Sequence, residues 1–227
     1  MPHTTPFLKA VLAIARKDLR AELRNRQIVS AIGLFALLAT MTFYFTLDTR
    51  PDVRLAVLPA VLWVIIVFAG TLGLNRSLAQ EHDRGSLDAL LLAPIDRSAL
   101  FYGKLISTWL FSLAVAAIVS LALSILFNTG LPVLAWSLII VLGTIGFSAV
   151  GTFVGSMAMY AHGRETTFPI LILPVVLPII MASVNACNAV LADLPFSDWS
   201  IWLVLLVSVD LIFLVLAFVL FEYVVEE

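Results

Sequence analysis

The sequence has little charge: 12% of its 227 residues are Asp, Glu, Lys or Arg, against about 25% in an ordinary soluble domain. Hydrophobic residues make up 62%, and together these figures exclude a conventional soluble enzyme. Cysteine occurs once, as Cys187 in an apolar stretch. An intrachain disulfide, a paired-thiol redox motif and a C-x-x-C-H haem attachment site are thereby excluded. Cys187 itself reads as a small buried hydrophobe. Glycine and proline are at ordinary frequency, which argues against both disorder and a repetitive fibre.

Chemistry-bearing motifs are also missing. There is no G-x-x-x-x-G-K-(S/T) sequence: Gly103-Lys104 is followed by Leu105, and Ser98 stands where the first glycine would fall. This polypeptide therefore has no P-loop nucleotide site. No H-E-x-x-H, no paired intramembrane carboxylates and no serine with a histidine at matching depth occur, so a membrane-embedded hydrolase is not indicated. No catalytic residue, metal site or nucleic-acid partner is expected. The three histidines, His3, His82 and His162, lie outside the apolar segments, so no histidine ligand is available within them.

What is present is long apolar runs, with a mean hydropathy of +1.08. A bilayer-crossing helix needs about 20 largely apolar residues, and six such segments fit the length: 28–47, 55–74, 99–127, 131–160, 166–190 and 200–221. The expected fold is an all-α integral membrane protein of one membrane domain. The first apolar segment lacks a small-residue cleavage site and is expected to be retained.

Basic residues orient the spans. Lys9, Arg16, Lys17, Arg20, Arg24, Arg26, Arg76, Arg84, Arg97, Lys104 and Arg164 fall on one side, and only Arg50 and Arg54 on the other. Both termini are therefore expected in the cytoplasm.

Segment 7–26 cannot span. At about 100° per residue, Leu8, Leu12, Ala15, Leu19 and Leu23 form one stripe, and Lys9, Arg16, Lys17, Arg20 and Arg24 gather on a neighbouring arc. That layout suits an interfacial helix with aliphatic groups in lipid and basic groups at anionic headgroups. A simple topology anchor is the plainer alternative.

The connection 75–98, NRSLAQEHDRGSLDALLLAPIDRS, carries helical signals of its own. Ser77 with Gln80 resembles a capping box that would open a short helix to about Asp83. Gly85 interrupts, Ser86 can cap a second helix over 87–93, and Pro94 ends it. Leu87, Leu90 and Leu91 then share a face, with Asp88 near the positive end of the dipole. Periodicity alone is evenly divided between docking into a partner's groove and packing on the span ends.

The run from Glu81 to Ile95, EHDRGSLDALLLAPI, resembles the E-x-x-x-G-(S/T)-L-(E/D)-x-L-L-L-x-P-(I/V) motif of type-2 ABC exporter permeases. More narrowly, it is similar to the haem exporter protein B (CcmB) family of cytochrome c maturation. That family has about this length, an arginine-rich amphipathic start like ARKDLR at 15–20 and a proline-and-tryptophan second span like LPAVLWV at 58–64. The likeness is residue-specific only from about Pro59 to Lys104. The resemblance implies a type-2 ABC exporter-like permease in the bacterial inner membrane. Its ATP would be bound and hydrolysed by a separate CcmA-like ATPase. Glu81, Gly85, Ser86, Leu87, Asp88, Leu90 and Leu91 would form the coupling element that meets this ATPase. A second permease copy and CcmC-like and CcmD-like membrane proteins are the other implied partners. The chain would bind no cofactor, and haem or a haem-loaded partner would be the cargo.

Asp210 is the one ionisable residue deep within an apolar segment. A carboxylate at a helix centre costs about 2.5–3.5 kcal/mol even on translocon scales. It is expected to face protein or water, either as a polar lining residue or through a hydrogen bond to a neighbouring span, with Ser208 nearby. Pro169, Pro174 and Pro178 mark the fifth segment as bent and internal. Gly151 and Gly155, in G-x-x-x-G spacing, mark the fourth for close packing, within the chain or against a second copy. Three rival readings stay open: a type-2 permease for a lipid or polymer, a secondary transporter with Asp210 as its proton site, and a non-transporting scaffold that releases haem-loaded partners.

Overall fold

In a lipid environment a backbone amide must find its partner within its own segment, so apolar runs of this length resolve as helices. A computed structural model describes residues 6–24, 26–46, 51–83, 97–158 and 164–224. Within them the regular structure is wholly α-helical: α1 (Phe7–Arg24), α2 (Arg26–Thr46), α3 (Pro51–Asp83), α4 (Arg97–Leu126), α5 (Val133–Ala158), α6 (Arg164–Leu191) and α7 (Phe196–Val224). Five of these, α3 to α7, contain stretches long and apolar enough to cross a membrane. The apolar part of α2, Ser30–Thr46, is shorter. The protein is a multi-pass membrane protein.

The core lies where α3, α5 and α6 meet. Trp63, Leu62, Ile65 and Ile66 of α3 pack with Ile139, Phe147 and Val150 of α5 and Ile172, Val176 and Ile179 of α6. From Gly143 to Ser156 every residue of α5 except the half-buried Ile145 is buried, which makes this stretch the axis of the bundle. Its glycines allow the close approaches. A Cβ on Gly143 would collide with the Trp63 ring, and one on Gly151 would meet Leu74 at 3.0 Å and Ile172 at 3.4 Å. Gly151 therefore packs within the chain, against α3 and α6, and is not on an outer face open to a second copy. The reciprocal notch is Gly70 of α3, where a Cβ would sit 2.5 Å from the Phe147 ring.

Around this core, large aliphatic side chains point outward: Ile118, Leu121 and Ile125 on α4, Ile170 on α6, and Leu211 and Val215 on α7 are exposed. Such a belt is what a lipid-facing surface requires. The end of α4 is closed by Asn128 (φ 48°), whose N–H reaches Ile125 O at 3.3 Å while Thr129 N–H reaches Ser124 O at 3.0 Å. The end of α6 repeats the motif at Asp193 (φ 56°), with Asp193 N–H on Val190 O and Leu194 N–H on Ala189 O. These are Schellman caps with Asn and Asp in the left-handed position that glycine usually takes.

Three expectations are corrected. No new helix starts at Ser77: α3 continues unbroken through Asn75 to Asp83. Nothing between 60 and 83 breaks a helix, so a cap-like Ser-x-x-Gln pattern inside a running helix has no free amides to cap. The proline-bearing α6 is internal on one face only. The helix runs through Pro169, Pro174 and Pro178, and Pro174 and Pro178 lie on its exposed face while Phe168, Ile172 and Ile179 are buried. Ser208 does not pair with Asp210, because it is exposed and donates to Val204 O on its own helix at 2.7 Å.

Candidate functional site

Two regions concentrate the polar residues, one at the end of the bundle and one in its middle. At the end, α1 lies along the start of α4. Its contact face is Ala10, Val11, Ile14, Ala15 and Asp18, all buried. Gly103 makes the contact possible: a Cβ there would sit 2.7 Å from Ile14 Cβ and 3.1 Å from the Val11 carbonyl oxygen. Tyr102 ties the neighbours together, with its ring edge-on to Phe7 at 6.2 Å and its hydroxyl donating to Leu214 O of α7 at 3.4 Å. Asp18 is taken into this contact face beside Lys17, whose Nζ lies 3.0 Å from Oδ1.

The helix therefore has three faces, where the sequence pattern suggested two. Ala15 of the aliphatic stripe turns into the protein. Leu8 and Leu12 stay outside at 71% and 62% exposure, offering an apolar edge. Lys9, Arg16, Lys17, Arg20 and Arg24 are all exposed on the remaining arc. At the same end, Glu81 lies in the last turn of α3, two residues before the helix ends. Gly85, Ser86, Leu87, Asp88, Leu90 and Leu91 lie outside the described residues.

In the middle of the bundle, Asp210 of α7 is buried at 5% exposure and turned toward α5. A Cβ on Gly146 would collide with its Oδ1, so the glycine is the seat of the carboxyl group. Asp210 Oδ1 has no hydrogen-bond partner among the described residues, and neither do the buried Ser148 Oγ, Thr152 Oγ1 and Ser183 Oγ. Trp63 Nε1 has the weakly accepting Cys187 sulfur for a neighbour and no oxygen or nitrogen partner. A groove of about 410 Å³ lies apart from these groups, between α2 and α4, lined by apolar residues including Ile32, Ala36, Phe111 and Ile118.

The sequence pattern singled out Asp210 and the basic arc, but it gave Gly103, Gly146 and Ser183 no role. Gly103 carried a legible signal: an interior helical glycine costs about 1 kcal/mol against alanine, and one in an apolar helix asks for a close neighbour. Among the described residues, no group of three or more His, Cys, Asp or Glu side chains is arranged to hold a metal ion.

A bundle of membrane-length helices, an amphipathic helix bound at one end and a carboxylate buried in its middle define a multi-pass α-helical membrane protein. Comparison with known proteins narrows this. The family model described as CcmB protein matches residues 9–225, nearly the whole chain, and the chain belongs to that family. Among its relatives are proteins named "Heme exporter protein B". The one from Pseudomonas aeruginosa is 25% identical over 205 residues, covering 88% of this chain and 90% of its own length. That from Bradyrhizobium diazoefficiens is 25% identical over 187 residues, covering 81% and 83%. The Rhodobacter capsulatus protein is 25% identical over 170 residues, covering 73% and 77%.

Proposed function

We propose that this chain is the permease component of a haem export system that serves cytochrome c maturation, driven by ATP hydrolysis on a separate CcmA-like subunit. The observation that carries the reading is membership of the CcmB family over residues 9–225 by a chain with no P-loop sequence of its own. The energy source then has to be a second polypeptide, and the connection 75–98 is where it would dock. Glu81, Gly85, Ser86, Leu87, Asp88, Leu90 and Leu91 form the coupling element in this reading. The capped helix expected there from the sequence would transmit a rigid displacement that a flexible loop would absorb.

In the same reading α2 is the first of six spans, the helix termini rich in Lys and Arg face the cytoplasm, and the membrane is the bacterial inner membrane. The exposed arc of α1 binds anionic headgroups. CcmC-like and CcmD-like proteins and a second permease copy are its neighbours, and haem or a haem-loaded partner is the cargo. The mechanism is displacement of spans by an ATP-driven partner, with no bond made or broken by this chain. Co-purification with the ATPase from the native membrane tests the reading. A chain that assembles with no ATPase and responds to a proton gradient would favour a secondary transporter instead.

A further inference from the structure

The helices α2 and α4 approach each other at two levels and part between them. Toward the α1 end, Ile32 of α2 and Phe111 of α4 meet over Gly73 of α3, where a Cβ would lie 3.2 Å from each. Toward the other end, the Tyr44 ring of α2 stands edge-on to Phe127, just past the end of α4, with ring centroids 5.4 Å apart. The Arg54 guanidinium of α3 lies 5.7 Å from the centroid of the same Tyr44 ring. Between these contacts runs the groove of about 410 Å³, lined from Ile32 to Met41 on α2 and from Phe111 to Leu126 on α4. Ala36, Thr40 and Val119 are buried along its floor, and Leu37, Ile118 and Ile125 stand exposed at its rim.

Chemistry and length decide what fills this groove. Its lining carries no ionisable side chain, and its one hydroxyl, on Thr40, already donates to Ala36 O at 2.7 Å. A polar occupant would find no side chain to bond there, and an empty slot would forfeit the dispersion contacts of both walls. Both walls belong to apolar helical segments, so the medium at the rim is hydrocarbon. At 1.5 Å per residue the lining runs about 14 Å along α2 and about 22 Å along α4. A spanning helix of a second copy would need a seat along about 30 Å of hydrocarbon, and the meeting of Ile32 with Phe111 stops the groove short of that. A single acyl chain reaching in from one leaflet needs only about half that depth. Arg54, at the Tyr44 end, supplies the charge that complements a headgroup phosphate.

We infer that this groove holds one acyl chain of a membrane phospholipid, with the phosphate of that lipid at Arg54. The lipid is then a structural part of the protein, filling the space by which α2 stands off α4.

Photolabelling of the full chain in nanodiscs tests this, with a phospholipid that carries a diazirine midway along one acyl chain and with labelled residues mapped by mass spectrometry. Leu211 and Val215 of α7, exposed to the same bilayer, are the reference. Label on the groove walls should exceed label at the reference severalfold. Gly33→Leu, at a position with nothing within 4 Å of its Cβ, and Ala122→Phe on the opposite wall should each lower the groove label severalfold and leave the reference unchanged. Arg54→Gln should lower it for the phospholipid and not for a diazirine-bearing diacylglycerol, which has no phosphate. Groove label no higher than the reference, unchanged by filling either wall, or unchanged for the phospholipid in Arg54→Gln would overturn the proposal. Disulfide-linked dimers of a Gly33→Cys variant in place of lipid label would overturn it too, by putting a second copy over the groove.

Discussion

At Gly103 and Gly146 the missing side chain decides the structure. Gly103 lets Ile14 and the Val11 carbonyl come within about one atom's width of α4, and so holds α1 on the bundle. Gly103→Val should cost about 1–3 kcal/mol by overpacking. In detergent the variant should unfold at lower temperature, and limited trypsin should cleave at Arg16 and Arg20 sooner than in the parent. Gly33 is the matched control, since nothing lies within 4 Å of a Cβ built there. Gly33→Ala should leave the trypsin pattern unchanged and should stabilise the protein slightly, through helix propensity alone. Trp63 is the opposite case, a fully buried side chain at the junction of α3, α5 and α6. Trp63→Ala should cost about 3–5 kcal/mol, measured as loss of folded protein on urea titration in micelles.

Residue-scale features divided by how local their signal is. Asp210 stands out in any reading because one carboxylate in an apolar run has no ordinary explanation. Its seat on Gly146 depends on how α5 and α7 pack, and no spacing along the chain records that. The G-x-x-x-G pair shows the same limit: the spacing marks close packing, and only the fold shows that Gly151 meets Leu74 and Ile172.

At the scale of elements, hydrophobic length was the reliable guide. The expected segments at 55–74, 99–127, 131–160 and 166–190 lie within or within two residues of α3 to α6, except where residues 159 and 160 lie outside the described set. The misreading at Ser77 came from trusting a four-residue cap pattern over a helical run that nothing interrupts. The three faces of α1 were only partly legible, because Ala10, Val11 and Ile14 are as apolar as the leucines, and which apolar side meets protein is a matter of shape. The exposed basic arc carries a prediction. Reversing Arg16, Arg20 and Arg24 to Glu should weaken the attachment of α1 to anionic lipid by about 1 kcal/mol per charge at low salt, read as faster hydrogen exchange in α1 in anionic nanodiscs. The difference should shrink in neutral lipid and at high salt. For the connection after α3, Gly85→Pro or Leu90→Asp should abolish ATPase assembly or uncouple hydrolysis from transport, with the chain still inserted in the membrane. Unaltered co-purification and coupling would remove this segment from the coupling role.

For the whole molecule, the charge deficit that excludes a soluble enzyme fits a body that lies within the bilayer. In the proposed function this chain supplies a path or a moving body through the bilayer, and a separate subunit supplies the energy. Family membership gives that body a setting, and the buried axis of α5 gives it a mechanical centre around which α3, α6 and α7 are packed. The most direct measurement reconstitutes the chain with its co-purified ATPase in sealed vesicles loaded with a haem-binding reporter, and follows ATP hydrolysis and haem movement together. The account predicts haem movement that requires ATP, is lost when the ATPase Walker lysine is replaced, and is lost again in Leu90→Asp. Haem movement that proceeds without ATP, or that follows an imposed proton gradient in the absence of the ATPase, would contradict it.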